Sequence, residues 1–110
     1  MMNEMKWSKA EKASARRAFD MAYRRECEAI SAMLKEMIEG AAEPEELWRI
    51  HDYLNAQRKN IDEKYDFRYS VLLFVIARLL TEGWLTEIDL DGFGEDKIEK
   101  IKYLADFHVQ

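Results

Sequence analysis

Residues 45–80 hold neither glycine nor proline, so nothing in the stretch around which this chain is organised forces the backbone to break. Within it Leu47, Ile50, Leu54, Ile61 and Tyr65 recur at spacings of three, four and seven. Those spacings lay one apolar stripe along a helix that turns by about 100° per residue. Such a stripe is a packing seam. On its shoulder lie Trp48, His51, Asn55, Arg58 and Asp62, while Glu45, Arg49, Asn60 and Glu63 are expected to face solvent on the opposite side. A tryptophan, a histidine and an arginine beside a seam are half covered wherever the seam meets another helix, and there they need partners. The shoulder therefore reads as an interaction surface, not a catalytic pocket.

The chain ahead of this stretch predicts a second long helix. Ser8 and Glu11 stand at capping-box spacing, and Phe19, Ala22, Tyr23, Glu26, Cys27, Ile30, Met33, Leu34, Met37 and Ile38 keep up a broad stripe until Gly40 supplies a stop. A helix over 8–39 is about 48 Å long. A compact chain of this size has a radius of gyration of about 13 Å and a diameter on the order of 34 Å, so the helix overshoots it. Pro44 suits the first turn of the next helix, and Glu45 and Glu46 suit its positive end. The expected result is an all-α fold: an antiparallel helical hairpin over 8–65, a stalk, followed by a small helical head over 66–110. Two helices share too little surface to bury stripes this wide, so the remainder is expected to meet a second copy, a homodimer. Leu47, Trp48, Ile50, Leu54 and Arg58 are the expected interface residues.

In the head, residues 71–80 are apolar on nearly every side, the mark of a helix enclosed by others. Asp66 or Ser70 is expected to cap it and Gly83 to end it. Thr86 caps a short turn through Leu90, Gly92 and Gly94 make a tight connection, and a last helix carries Ile98, Ile101, Leu104, Ala105 and Phe107 inward.

Several functions are excluded on chemistry. A net charge of -5 argues against a nucleic-acid binder, because neutralising phosphates is the main source of that affinity. The single cysteine, Cys27, permits no disulfide within the chain and is expected as a small core residue in a reducing, cytoplasmic setting. No secretory signal is expected of the short polar stretch Met1 to Trp7, and no run approaches the roughly 20 apolar residues of a spanning helix. His51 and His108 have no second ligand at helical metal spacing, and Asp89, Asp91 and Gly92 are only a fragment of a calcium loop. No catalytic residue, metal or cofactor is expected, and the chain is not expected to be an enzyme. Trp48, His51, Asp52 and Arg58 remain open between two readings, filler in a dimer seam or a surface for another protein, and spacing does not choose.

The run Leu47 to Leu54, with Arg58, Ile61, Asp62, Lys64, Tyr65, Asp66, Arg68, Ser70, Val71, Glu82 and Gly83, resembles the fluorescence recovery protein family of cyanobacteria. Trp7 and Ser8, the segment from Phe19 to Glu26, and Lys100 with Ile101 extend the likeness over nearly the whole chain. The resemblance implies an all-α dimer with an extended stalk and a small head. It also implies binding to the photoactivated form of the orange carotenoid protein, chiefly its C-terminal domain, and faster return of that protein to its orange form. Quenching of the phycobilisome then ends, at the thylakoid periphery. On this resemblance Trp48, His51, Asp52 and Arg58 match the functional patch, Leu47 a dimer position, and Phe74 and Lys100 head positions that touch the partner. Lys59, Asn60, Glu63 and the end from Phe107 to Gln110 depart from the family pattern. They leave room for a relative acting as a dimeric helical adaptor for a homologous or different partner.

Overall fold

Ser8 and Glu11 close the capping box that their spacing predicts. Ser8 Oγ accepts from the Glu11 amide at 3.1 Å, and Glu11 Oε1 accepts from the Ser8 amide at 3.0 Å. From that start the computed structural model, which describes residues 6–109, runs one unbroken helix, α1 (Lys9–Gly40). Three residues later α2 (Pro44–Lys64) begins with proline in its first turn and Glu45 and Glu46 at its positive end, and it returns along α1. Asn60 and Lys64, near the end of α2, both reach Glu26 in the middle of α1. The overshoot is real: the molecule extends 55 Å by 26 Å by 23 Å, with a radius of gyration of 16.9 Å.

Residues 65–71 are not helical, and their aromatic side chains bind them to α1 and to Trp7. Phe19 meets Tyr65 and Phe67 edge to face at 5.3 and 5.0 Å, Tyr69 meets Trp7 at 5.4 Å, and the Arg16 guanidinium lies 3.7 Å over the Phe67 ring. The connection therefore runs back along the first half of α1, and α3 (Leu72–Thr81) starts there. Neither Asp66 nor Ser70 caps it. The N-cap is Val71 with no side-chain bond, because the Asp66 carboxylate is taken up by the Arg68 amide at 3.0 Å and by the Arg68 guanidinium.

After α3 the chain turns through Gly83, and Thr86 with Asp89 forms a second capping box that opens a 3-10 turn over Glu87–Leu90. Gly92 has a φ of +94°, and a Cβ there would run into the Ser14 side chain, so both backbone shape and space require glycine. The last helix, α4 (Glu95–Val109), lies against α3, and Thr81 Oγ1 donates to the Ala105 carbonyl at 3.3 Å. The described residues are all-α, as the stripes predict.

One core joins these pieces. Leu72, Ile76 and Leu79 of α3 pack with Leu85, Leu90, Phe93, Ile101 and Leu104, and the small faces of Ala15, Ala18 and Ala22 let α1 approach closely. The first half of α1 is thus part of the core that the head builds. Phe107 is not: it is 71% exposed and stacks on Tyr103 at 6.3 Å. Six residues beyond buried Ile101, it lies about 240° further round the helix, which turns it outward. Asn60, expected in solvent, is half-buried because the head covers that side of the end of α2.

Lys97 is buried and ties both chain ends together. Its ammonium donates to the Lys6 carbonyl at 2.6 Å and to Glu11 Oε1 at 3.2 Å, while Glu11 Oε2 accepts from the Gly94 amide at 2.8 Å. The Ser8 amide, helped by Lys97 and Gly94 and opposed by desolvation, holds the Glu11 carboxyl at about 2, below its ordinary 4.5.

Candidate interaction site on the hairpin

The apolar stripe of α2 does not lie on one side in this fold. Ile50 and Ile61 turn toward α1 with Tyr53 and Gln57 between them, whereas Leu47, at 58% exposure, and Leu54 stand outside. The stripe is wider than the strip that α1 covers, so its outer edge merges with the shoulder. Trp48 is 64% exposed and meets the His51 ring edge-on at 6.4 Å. His51 Nδ1 lies 3.4 Å from Asp52 Oδ1, with both side chains largely in solvent.

Arg58 Nε donates to Asp62 Oδ2 at 3.0 Å one turn away, and Asp62 raises the arginine's pKa above its ordinary value. Both groups are exposed, and solvent screening leaves such a surface pair weak, so the guanidinium is easily recruited by another acceptor. An aromatic ring, an imidazole, a carboxylate and a guanidinium therefore stand free along one edge of α2. This combination suits protein recognition, in which tryptophan and arginine most often carry the binding energy.

Beside this edge an open groove of about 810 Å³ runs between the two hairpin helices. Phe19, Tyr23, Cys27 and Ile30 of α1 form one wall; His51, Leu54, Arg58 and Ile61 of α2 form the other, and Tyr65 closes the end. Cys27, expected in the core, is half-buried on this wall, because α2 covers only part of that face of α1. Of the residues singled out in the sequence, His51, Leu54 and Arg58 share the groove, and Leu47, Trp48 and Asp52 lie on the outer edge.

Phe74 and Lys100 sit on α3 and α4, away from the hairpin tip in the chain, and both are exposed. Lys100 Nζ lies 5.6 Å over the Tyr103 ring, which in turn stacks on Phe107. Phe74 is not a core residue despite its apolar helix. Periodicity gave no role to Lys64 or Glu82, which with Glu26 form an ionic group where the hairpin meets the head, Lys64 and Glu26 buried and Glu82 at its open side. The available signal was Glu26 itself, a carboxylate within the apolar stripe of α1, where a buried charge requires an opposite one.

Residues 7–105 match the family described as photoprotection regulator fluorescence recovery protein. The fluorescence recovery protein of Synechocystis sp. is 42% identical over 102 residues, which span 93% of this chain and 94% of that protein. Two solved structures share the fold over 92% of this chain and 99% of theirs, each at 42% identity. They are the fluorescence recovery protein of Fremyella diplosiphon, with a TM-score of 0.87, and that of Synechocystis sp. PCC 6803, with a TM-score of 0.88.

Proposed function

The chain belongs to the fluorescence recovery protein family of photoprotection regulators, and from that membership we propose that it binds photoactivated orange carotenoid protein and speeds its return to the orange form. The observation that carries this reading is the exposed edge of α2, where Trp48, His51, Asp52 and Arg58 are all open to solvent and none is part of the core. Phe74 and Lys100 on the head serve as a second contact with the C-terminal domain of the same partner. No helix of the described residues is long and apolar enough to cross a membrane. The regulator acts beside the phycobilisome as a protein-binding protein, by scaffolding and not by turnover.

The working form is a homodimer. Met33, Ile38, Leu47, Trp48 and Leu54 are exposed along the hairpin, more apolar surface than one chain covers, and a second copy removes it from water. Leu47, Trp48, Leu54 and Arg58 line that seam, Ile50, expected there too, faces α1 behind them, and the Trp48 to Arg58 ridge survives at its border. A dimer that binds the relaxed geometry of its partner better than the activated one lowers the barrier between them without covalent chemistry.

The test is the dark decay of photoactivated orange carotenoid protein, followed by absorbance as this protein is titrated in. Acceleration is the expected result, and an unchanged rate at stoichiometric excess overturns the reading. Arg58→Lys removes the planar fork but keeps the charge, so the acceleration should fall about tenfold while the dimer persists. Leu47→Glu should give monomers by size-exclusion chromatography with light scattering; a dimeric variant would remove Leu47 from the seam.

A further inference from the structure

Three elements meet at one ammonium group. Lys64, the last residue of α2 and 1% exposed at its side chain, donates to Glu26 Oε2 of α1 at 2.7 Å and to Glu82 Oε1 just past α3 at 2.6 Å. The two carboxylates are tied in turn. Tyr65 donates its hydroxyl to Glu26 Oε1 at 2.9 Å, Arg78 donates to Glu82 Oε2 at 2.9 Å, and Asn60 joins Glu26 to Arg78 at 3.4 Å on each side. Among the described residues no buried side-chain nitrogen or oxygen lacks a partner. The cluster lies where the helical hairpin ends and the non-helical connection to α3 begins.

A buried ion pair is a poor way to add stability, because desolvation consumes most of the attraction and apolar side chains of the same volume do as well. What it adds is direction. Apolar cores of the right volume tolerate alternative packings and lose uniqueness before stability, whereas an ammonium shared by two anchored carboxylates holds one arrangement. We infer that Lys64 is a positioning residue, fixing the end of α2 at a set angle to α1 and the head, which α1 already joins, so that the α2 edge and the exposed face of α3 and α4 meet one partner together. Its consequence rests on the two-contact reading proposed above; its geometry does not. With the joint fixed, binding at one surface presents the other at high effective concentration, and with the joint loose that advantage is lost.

The experiment reads the angle and the function separately. In a Cys27→Ser background, spin labels at Arg49→Cys on the exposed side of α2 and Glu99→Cys on α4 report distances by pulsed electron resonance, with unlabelled protein added so that only distances within one chain count. The paired change Lys64→Met with Glu26→Gln removes both buried charges and keeps their volume. Its melting temperature should stay within about 5 °C of the parent, while the distance distribution broadens. The concentration needed for half-maximal acceleration of the partner should rise about tenfold with the maximal rate kept. Glu82→Gln, which takes one charged acceptor from Lys64 at a partly exposed position, should give an intermediate width in a chain that folds even if the paired variant does not. A width equal to the parent's in both variants overturns the role of Lys64. Broadened distances with an unchanged concentration dependence instead overturn the two-contact reading and leave the joint standing.

Discussion

From Cys27 to Asn60 no side chain is buried, whereas in α3 five of ten residues are, and the first half of α1 adds Ala15, Ala18, Phe19 and Ala22 to the same core. Both regions are helical and both carry apolar stripes. They differ in whether the stripe finds its match inside the chain. The head closes on itself through α3, α4 and the connections between them, and the hairpin tip has only one opposing helix, which leaves Leu47, Trp48 and Leu54 outside. Since helix stability in proteins comes mostly from packing an amphipathic face, the tip is the part with the least packing of its own, and the proposed dimer would supply the rest. The proposed function uses that same exposed surface for recognition.

That contrast is open to measurement. The largest effect belongs to the head: Leu72→Ala removes a fully buried side chain and should cost about 2–5 kcal/mol in denaturant unfolding. A smaller value would mean that the head core is looser than its burial implies. Next comes the tie between chain ends. The folded pKa of Glu11, about 2, lies below its ordinary 4.5. Between those values the unfolded chain binds more protons than the folded one. The stabilisation is therefore full above about pH 4.5 and lost as pH falls toward about 2. Glu11→Gln should cost about 1–3 kcal/mol at neutral pH and flatten the loss of stability in that acid window. An unchanged acid slope would remove Glu11 as its source. The smallest effect belongs to the tip. In a chain made monomeric by Leu47→Glu, adding Leu54→Ala should cost less than about 0.5 kcal/mol, as for an ordinary surface change. A cost comparable to that of Leu72→Ala would show the tip to be packed after all, and the contrast would fail.

Most of the local chemistry was legible. The Ser8 capping box, the Pro44 start, the Thr86 cap and the extent of the two long helices depend on contacts within one turn, and they follow from residues a few positions apart. The Trp48 to Arg58 edge was visible as a stripe, and the fold leaves it where a partner can reach it. The cap on α3 was not legible, because Asp66 had a nearer competitor in Arg68. Nor was the outward turn of Phe107, where the apolar character of the residue suggested the core and its angle on the helix decided otherwise.

The sequence by itself determined that this chain is helical, where the two long helices begin, and that they carry more apolar surface than a hairpin hides. Only the tertiary structure decided that the first half of α1 serves the head, that Leu47 and Leu54 fall outside the strip that α1 covers, and that Lys64 finds Glu26 across 38 positions of sequence. Periodicity fixes a side chain's angle about its own helix axis. Which neighbour occupies that direction depends on how the helices cross, and that is settled by the packing of the whole chain.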